Sequence, residues 1–322
     1  MPLDSIRSLV QNDLAATDQF IFTELESHIP LINELVQYIL NCGGKRIRPL
    51  LVLLSARACN HTGNQHLDLA AAIELIHTAT LLHDDVIDNS NLRRGRDTAH
   101  TIWGSEASVL VGDFLYSRAF QLIVRLQNLQ VMNIFSDATN LIAEGEILQL
   151  VNCNDPNTTE ASYYEVIQRK TGKLFEVGAQ MGPAISNCSP AEFQAMQQYG
   201  INLGIAYQLI DDALDYNASA EQTGKNIGTD LAEGKPTLPL IHALRQGTPA
   251  EAKLIRKAIE HGSCDQLDSI LGIIESTGAI EYTATAAKKH AREANSALLH
   301  VPESPYRKAL HELAEFVVER GY

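Results

Sequence analysis

LDLAAAIELIHTATLLHDDVID, residues 67–88, carries apolar side chains through about six helical turns and then ends in three aspartates. Ile73, Ile76, Leu81, Leu82, Val86 and Ile87 cover most of the helix circumference, so the segment reads as a largely buried helix. Carboxylates on such a helix are costly unless paired or bound to metal. Asp84 and Asp88 stand at i and i+4 and project from one face, whereas Asp85 points about 100° away. The same arrangement recurs in QLIDDALD, residues 208–215, where Asp211 and Asp215 share a face and Asp212 is offset. Either triplet alone could be an ordinary solvated acidic face. Two of them, each ending a long apolar helix, point to chemistry.

The rest of the chain has the same helical character. Segments 106–126, 131–150 and 191–215 are long, rich in Ala, Leu, Ile, Glu and Gln, and apolar at intervals of three and four. No strand is predicted, because sustained period-two alternation is missing. Turn residues cluster at 41–44, 152–159, 182–190, 245–250 and 301–305, and 217–237 reads as a long polar loop. No break resembles a domain boundary, so one all-α domain over residues 1–322 is expected.

Composition limits what such a domain can bind. With 25 Lys+Arg against 39 Asp+Glu the formal net charge is −14, which disfavours nucleic acid and electrostatic docking on anionic lipid. The five cysteines are scattered without metal-ligand spacing, as expected of reduced thiols. No signal peptide or stretch of about 18 uncharged apolar residues is evident, so a cytoplasmic protein without a transmembrane segment is expected.

Two sets of paired hard oxygen ligands suit Mg²⁺, which bridges carboxylates to substrate phosphates. A phosphate ester also needs cations, and these gather at specific places. GGKRIRP (43–49) supplies Lys45, Arg46 and Arg48; Arg93 and Arg94 follow the first aspartate triplet; Lys170 and Thr171 lie in QRKTGKLF; Lys225 and Lys235 lie in the polar loop. Arginine's planar fork matches diphosphate, while lysine adds a point charge. His77 lies two turns before Asp84, and Gln208 one turn before Asp211. Both read equally well as core residues or as ligand contacts. His83 and His100 have no assigned role.

At these positions the sequence resembles the trans-isoprenyl diphosphate synthases, most closely the bacterial octaprenyl diphosphate synthases. The resemblance runs nearly end to end, through GGKRIRP (43–49), ELIHTATLLHDDVID (74–88), GDFLYSRAF (112–120), QRKTGKLF (168–175), AYQLIDDALDY (206–216) and GKNIGTDLAEGKPTLPL (224–240). It implies an all-α isoprenoid-synthase-type bundle around a deep central cavity, usually a homodimer. It implies that Asp84, Asp88 and Asp211 bind Mg²⁺ on the allylic diphosphate, supported by Asp85, Asp212 and Asp215. It further implies allylic-substrate contacts at Arg93, Lys170, Thr171 and Gln208, with Lys225 and Lys235 nearby, and isopentenyl diphosphate contacts at Lys45, Arg48, His77 and Arg94. Farnesyl diphosphate is the expected starter, and the product would supply the side chain of respiratory quinones. A membrane surface is a candidate place for unloading that lipid.

The growing chain is expected to run from the aspartates back along the first helix, past the small residues Ala79 and Thr80. Ile123 and Phe135 are candidates for the floor, though both also read as plain core. Competing readings are a shorter-chain, geranylgeranyl-type synthase, a terpene cyclase, and a non-catalytic subunit that binds prenyl diphosphate. A cyclase would not need the second diphosphate site at GGKRIRP, and a non-catalytic subunit is expected to lose one aspartate triplet.

Overall fold

The computed structural model describes residues 3–41, 43–93, 95–217 and 227–319. Helices account for nearly all of their regular structure, as the 3.6-residue periodicity predicts. The residues group into two compact units. One comprises Met1–Asp137, Leu174–Gln197 and Ala297–Leu313; the other comprises Ala138–Lys173, Gln198–Ser296 and Ala314–Tyr322.

The first unit contains α1 (Leu3–Ser8), α2 (Gln11–Glu24), α3 (Pro30–Asn41), α4 (Ile47–Ala58), α5 (Gln65–Ile87), α6 (Ala99–Trp103) and α7 (Ser105–Arg125). Its core is built on α4 and α5, where Leu50–Leu54 and Leu69–Ala72 are fully or almost fully buried. The aspartate helix ends by a specific device. Asn89 turns into the left-handed region at φ 50°, Ser90 N–H donates to Asp85 O and Asn89 N–H donates to Val86 O. This Schellman pattern satisfies carbonyls that the last turn would otherwise leave open. It fixes Asp84, Asp85 and Asp88 on a defined final turn.

Two glycines let helices approach closely. A Cβ on Gly112 of α7 would lie 2.3 Å from His83 Nε2 on α5, which gives the unassigned His83 a packing role. In α10 (Lys173–Ala184) a Cβ on Gly182 would lie 2.4 Å from the backbone of Ser55 in α4. One local element departs from expectation. Leu92–Arg93 (β1) and Arg96–Asp97 (β2) form a two-residue antiparallel pair after the aspartate triplet. It escapes sequence detection because two residues are too few to show alternation; Gly95, at φ 73°, closes its turn.

Helix α7 is long and apolar enough to cross a membrane by length and composition. Val111, Leu115, Ala119 and Leu122 on one side are buried in the first unit, while Leu110 and Val124 are exposed.

α8 (Leu129–Asn152) and α11 (Pro190–Asn217) each contribute residues to both units. The second unit otherwise contains α9 (Glu160–Ile167), a π turn at Gln168–Gly172, α12 (Thr229–Ala232), α13 (Leu238–Gln246), α14 (Pro249–His261), α15 (Leu267–Ser276), α16 (Ala279–Ala297) and the end of α17 (Pro305–Glu319). Tyr163, Ile167, Ile205, Leu209 and Ile210 pack together as one apolar cluster. Leu231, Leu240, Ile255, Ile259 and Ile270 form a second. The predicted polar loop contains α12, and its residues 218–226 lie outside the described residues.

Candidate functional site

In the first unit, the last turn of α5 separates its aspartates by environment. Asp84 and Asp88 are half-buried, while Asp85 is 3% exposed. Burying a carboxylate so deeply requires a partner, and Arg93 on β1 supplies one. Its Nε donates to both Asp85 oxygens at 2.8 and 3.0 Å, and Nη2 lies 2.7 Å from Oδ1. Burial alone would lower the Arg93 pKa; the bonds to Asp85, with the charges of Asp84 and Asp88, raise it instead. The short hairpin therefore has a local purpose, since it returns Arg93 to the aspartate it follows by eight residues.

The basic cluster is also differentiated. Arg48 Nη1 lies 3.0 Å from His77 Nε2. Because arginine only donates, His77 Nε2 accepts and its proton sits on Nδ1. The Arg48 guanidinium stacks 4.6 Å from the Phe175 ring centroid, a cation–π contact that holds the fork flat. The structure thus brings together two residues assigned to the same diphosphate. Lys45 is exposed, and its carbonyl accepts from Arg7 at 2.6 Å. Arg46 has a structural role: it sits at φ 46° and pairs with the buried Glu74 at 2.6 Å. Arg94 lies outside the described residues. Ala79 is fully buried and Thr80 half-buried, with Thr80 Oγ1 donating to His77 O; Ile123 and Phe135 are fully buried.

In the second unit a hydrogen-bonded chain links four side chains. Thr171 Oγ1 donates to Gln208 Oε1 at 2.8 Å, Gln208 Nε2 donates to Asp212 Oδ1 at 2.7 Å, and Tyr163 O–H donates to Asp212 Oδ2 at 2.5 Å. Asp212 is 2% exposed. Burial, then the neighbouring Asp230 and Asp211 charges, push its carboxyl well above the usual range despite these bonds. Tyr163 is likewise raised by burial and by Asp212. Asp211 and Asp215 are half-buried. Asp215 accepts the backbone N–H groups of Thr229 and Asp230 at 3.2 and 3.0 Å, which ties α11 to the start of α12.

Lys170 and Thr171 lie on the π turn. Lys170 Nζ meets Glu146 Oε2 at 2.5 Å, and a Cβ on the neighbouring Gly145 would press within 2.8 Å of Lys170 N. Lys235 pairs with Glu233 at 2.7 Å. Lys225 lies outside the described residues.

Sequence reasoning missed Glu146, Tyr163 and Phe175. A glycine inside the strongly helical stretch 131–150 was an available signal for a close approach beside Glu146. Tyr163 and Phe175 look like any other core aromatics until their partners are known.

Within each unit the aspartates present hard carboxylate oxygens of the kind that suit Mg²⁺: Asp84 and Asp88 in the first and Asp211 in the second are half-buried, while Asp85, Asp212 and Asp215 accept from protein donors. Among the described residues no three His, Cys, Asp or Glu side chains converge as a ready metal cage.

Comparison with known proteins adds the following. The polyprenyl synthetase family matches residues 29–274. The chain is 50% identical over 321 residues to octaprenyl diphosphate synthase of Escherichia coli (strain K12), covering 99% of each chain. It is similar to a solved polyprenyl synthase from Caulobacter crescentus CB15 complexed with calcium and isoprenyl diphosphate, with TM-score 0.95, 42% identity, and 99% and 98% of the two chains covered. A decaprenyl diphosphate synthase from Rhodobacter capsulatus matches with TM-score 0.95 and 41% identity over 100% of both chains.

Proposed function

Because this all-α chain belongs to the polyprenyl synthetase family, we propose that it is a long-chain trans-polyprenyl diphosphate synthase. We infer octaprenyl diphosphate as its product, built by adding isopentenyl diphosphate head-to-tail to an allylic diphosphate such as farnesyl diphosphate. The full-length identity to an octaprenyl diphosphate synthase supports that length. The observation that carries the reading is the paired division of the aspartates. In each triplet the middle carboxylate is buried and tethered, by Arg93 or by Tyr163 and Gln208, and its neighbours stay partly accessible.

On this reading Asp84, Asp88 and Asp211 are the magnesium ligands, and Asp85, Asp212 and Asp215 hold them in place. When bound, Mg²⁺ neutralises charge developing on the departing diphosphate. Arg93, Lys170, Thr171 and Gln208, with Lys225 and Lys235, hold the allylic diphosphate while its carbon–oxygen bond breaks. Lys45, Arg48, His77 and Arg94 hold isopentenyl diphosphate, whose double bond attacks the allylic cation. Loss of a proton to the departing diphosphate completes the addition, so no strong protein base is needed. A deep apolar cavity would exclude water from the cation. Residues 1–322 act as one catalytic domain. Ala79 and Thr80 flank the path of the chain, with Ile123 and Phe135 as floor candidates.

The proposal extends to a cytoplasmic homodimer, with the exposed apolar positions Leu110 and Val124 on α7 available to a second copy. The test is incubation of the purified protein with Mg²⁺, farnesyl diphosphate and labelled isopentenyl diphosphate, followed by product chromatography. A C40 diphosphate is the expected product. A C20 product would favour a geranylgeranyl-type synthase, and a cyclised hydrocarbon or no turnover would sink the proposal.

A further inference from the structure

The mechanism uses no thiol, yet two of the cysteines lie side by side. Cys59 is the C-cap residue of α4, and Cys188 lies two residues before α11. Two hydrogen bonds bracket them. Before Cys59, Ser55 Oγ donates to Ala179 O at 2.5 Å; after it, His61 Nδ1 lies 3.2 Å from Ile185 O. Gly182 allows the two backbones to touch at Ser55, and Asn128 Nδ2 donates to Ala184 O at 3.2 Å. These anchors lay the end of α4 along segment 179–185, which places Cys59 beside Cys188 closely enough that each thiol perturbs the other, although 129 positions separate them. Both are free.

We propose that Cys59 and Cys188 are a latent disulfide, a thiol pair that a peroxide oxidises into a clip between the end of α4 and the segment entering α11. Cys188 is the half-exposed member and reacts first, whereas Cys59 is 9% exposed. Its sulfur attacks one peroxide oxygen, the O–O bond breaks, and the products are a sulfenic acid and water. Cys59 sulfur then attacks Cys188 sulfur. The S–OH bond breaks, and the departing hydroxide takes the Cys59 proton as a second water. Two thiols and one peroxide thus give one disulfide and two waters.

This pair is a slow responder. Burial, and the Glu192 charge facing both sulfurs, hold the two thiols above the ordinary range; the Cys59 contact eases Cys188 only in part. Reactive cysteines have lowered pKa values, and the thiolate is the attacking form. Oxidation should therefore accelerate about tenfold between pH 7 and pH 8, as it does for any thiol well above ambient pH.

The test exposes the full-length protein to hydrogen peroxide, alkylates the remaining thiols, and maps peptides without reduction. The expected result is one linked peptide pair joining residues 59 and 188, reversed by a thiol reductant. Oxidation should also raise Tm by several degrees, because the bridge closes a long loop in the unfolded chain. Cys188→Ser, at the more exposed position, should abolish both the link and the Tm rise; Cys59→Ser should also abolish the link. Separate alkylation or overoxidation of the two cysteines, or predominant linkage to Cys153 or Cys264, would overturn the assignment. None of these outcomes depends on prenyltransferase turnover.

Discussion

The Tyr163 hydroxyl donates to Asp212 Oδ2 at 2.5 Å while Gln208 donates to Asp212 Oδ1, so both oxygens of the buried carboxylate are held. Tyr163 comes from α9, outside every motif legible in the sequence. Its phenol anchors a chain that continues through Gln208 to Thr171. Leaving a buried polar group without one of its bonds typically costs about 1–3 kcal/mol. Tyr163→Phe is therefore expected to lower kcat/KM by about tenfold or more, with a weaker response to Mg²⁺. Steady-state kinetics at varied Mg²⁺, beside a circular dichroism melt, would check this; unchanged magnesium dependence would count against the anchor.

Arg93 and Asp85 form the corresponding tether in the first unit. Asp85 is buried, so Arg93→Leu leaves a carboxylate without its partner, at a cost of about 3 kcal/mol. Combining it with Asp85→Asn should recover much of the stability and little of the activity. Urea denaturation of the two single variants and the double variant measures the coupling, and simple additivity would show that the pair is not a tether.

Gly112→Ala places a methyl group 2.3 Å from His83 Nε2, next in sequence to Asp84. The ring must move, so turnover should fall severalfold with a modest loss of stability. His83→Ala in the same chain removes the obstacle, and Gly112→Ala/His83→Ala should be less impaired than Gly112→Ala alone. If the double variant is the worse of the two, the contact is not the cause.

Stability should depend on pH through histidines buried in neutral form. His66 is fully buried; burial first, then the Arg57 charge, lower its pKa, although Asp13 opposes them. His61, His242 and His290 are also lowered, chiefly by burial. The unfolded chain then binds more protons than the native one below about pH 6.5, so stability falls as pH drops from that value towards the native pKa. Above pH 7 these groups add no slope. The histidine contribution to Tm, measured from pH 5 to pH 8, should rise and then level off, set against the opposite slope from the raised Asp212 carboxyl. His66→Phe, if it folds, should flatten the rise in part; an unaltered profile would remove His66 from the account.

Thr80 is half-buried one turn from Asp84. Thr80→Phe should shorten the product if the growing chain takes the proposed path along α5, because an aromatic ring there would block it. Each helical turn rises about 5.4 Å, close to one extended isoprene unit. A product of unchanged length on chromatography would show that the chain takes another direction.

Much of the molecule was legible because its governing signals are local. The periodicity of 67–88 and 106–126 predicts α5 and α7 to within two residues at either end, and i, i+4 spacing already separates Asp85 from Asp84 and Asp88. The tethers were not legible, because each depends on contact across the chain. Nothing near Tyr163 marks it as the partner of a residue 49 positions away. Arg46, grouped by sequence with Lys45 and Arg48, is taken up by Glu74 because its left-handed backbone turns it there. The hairpin at 92–97 was too short to show a period.

The π turn at Gln168–Gly172 has a further consequence. Such a turn accommodates one residue more than regular α winding requires. Deleting one residue there could leave a continuous α-helix while rotating one flank by about 100° relative to the other. Lys170 and Thr171 could then no longer reach Glu146 and Gln208 together, so the extra residue of winding is what lets one short segment meet partners on two different helices.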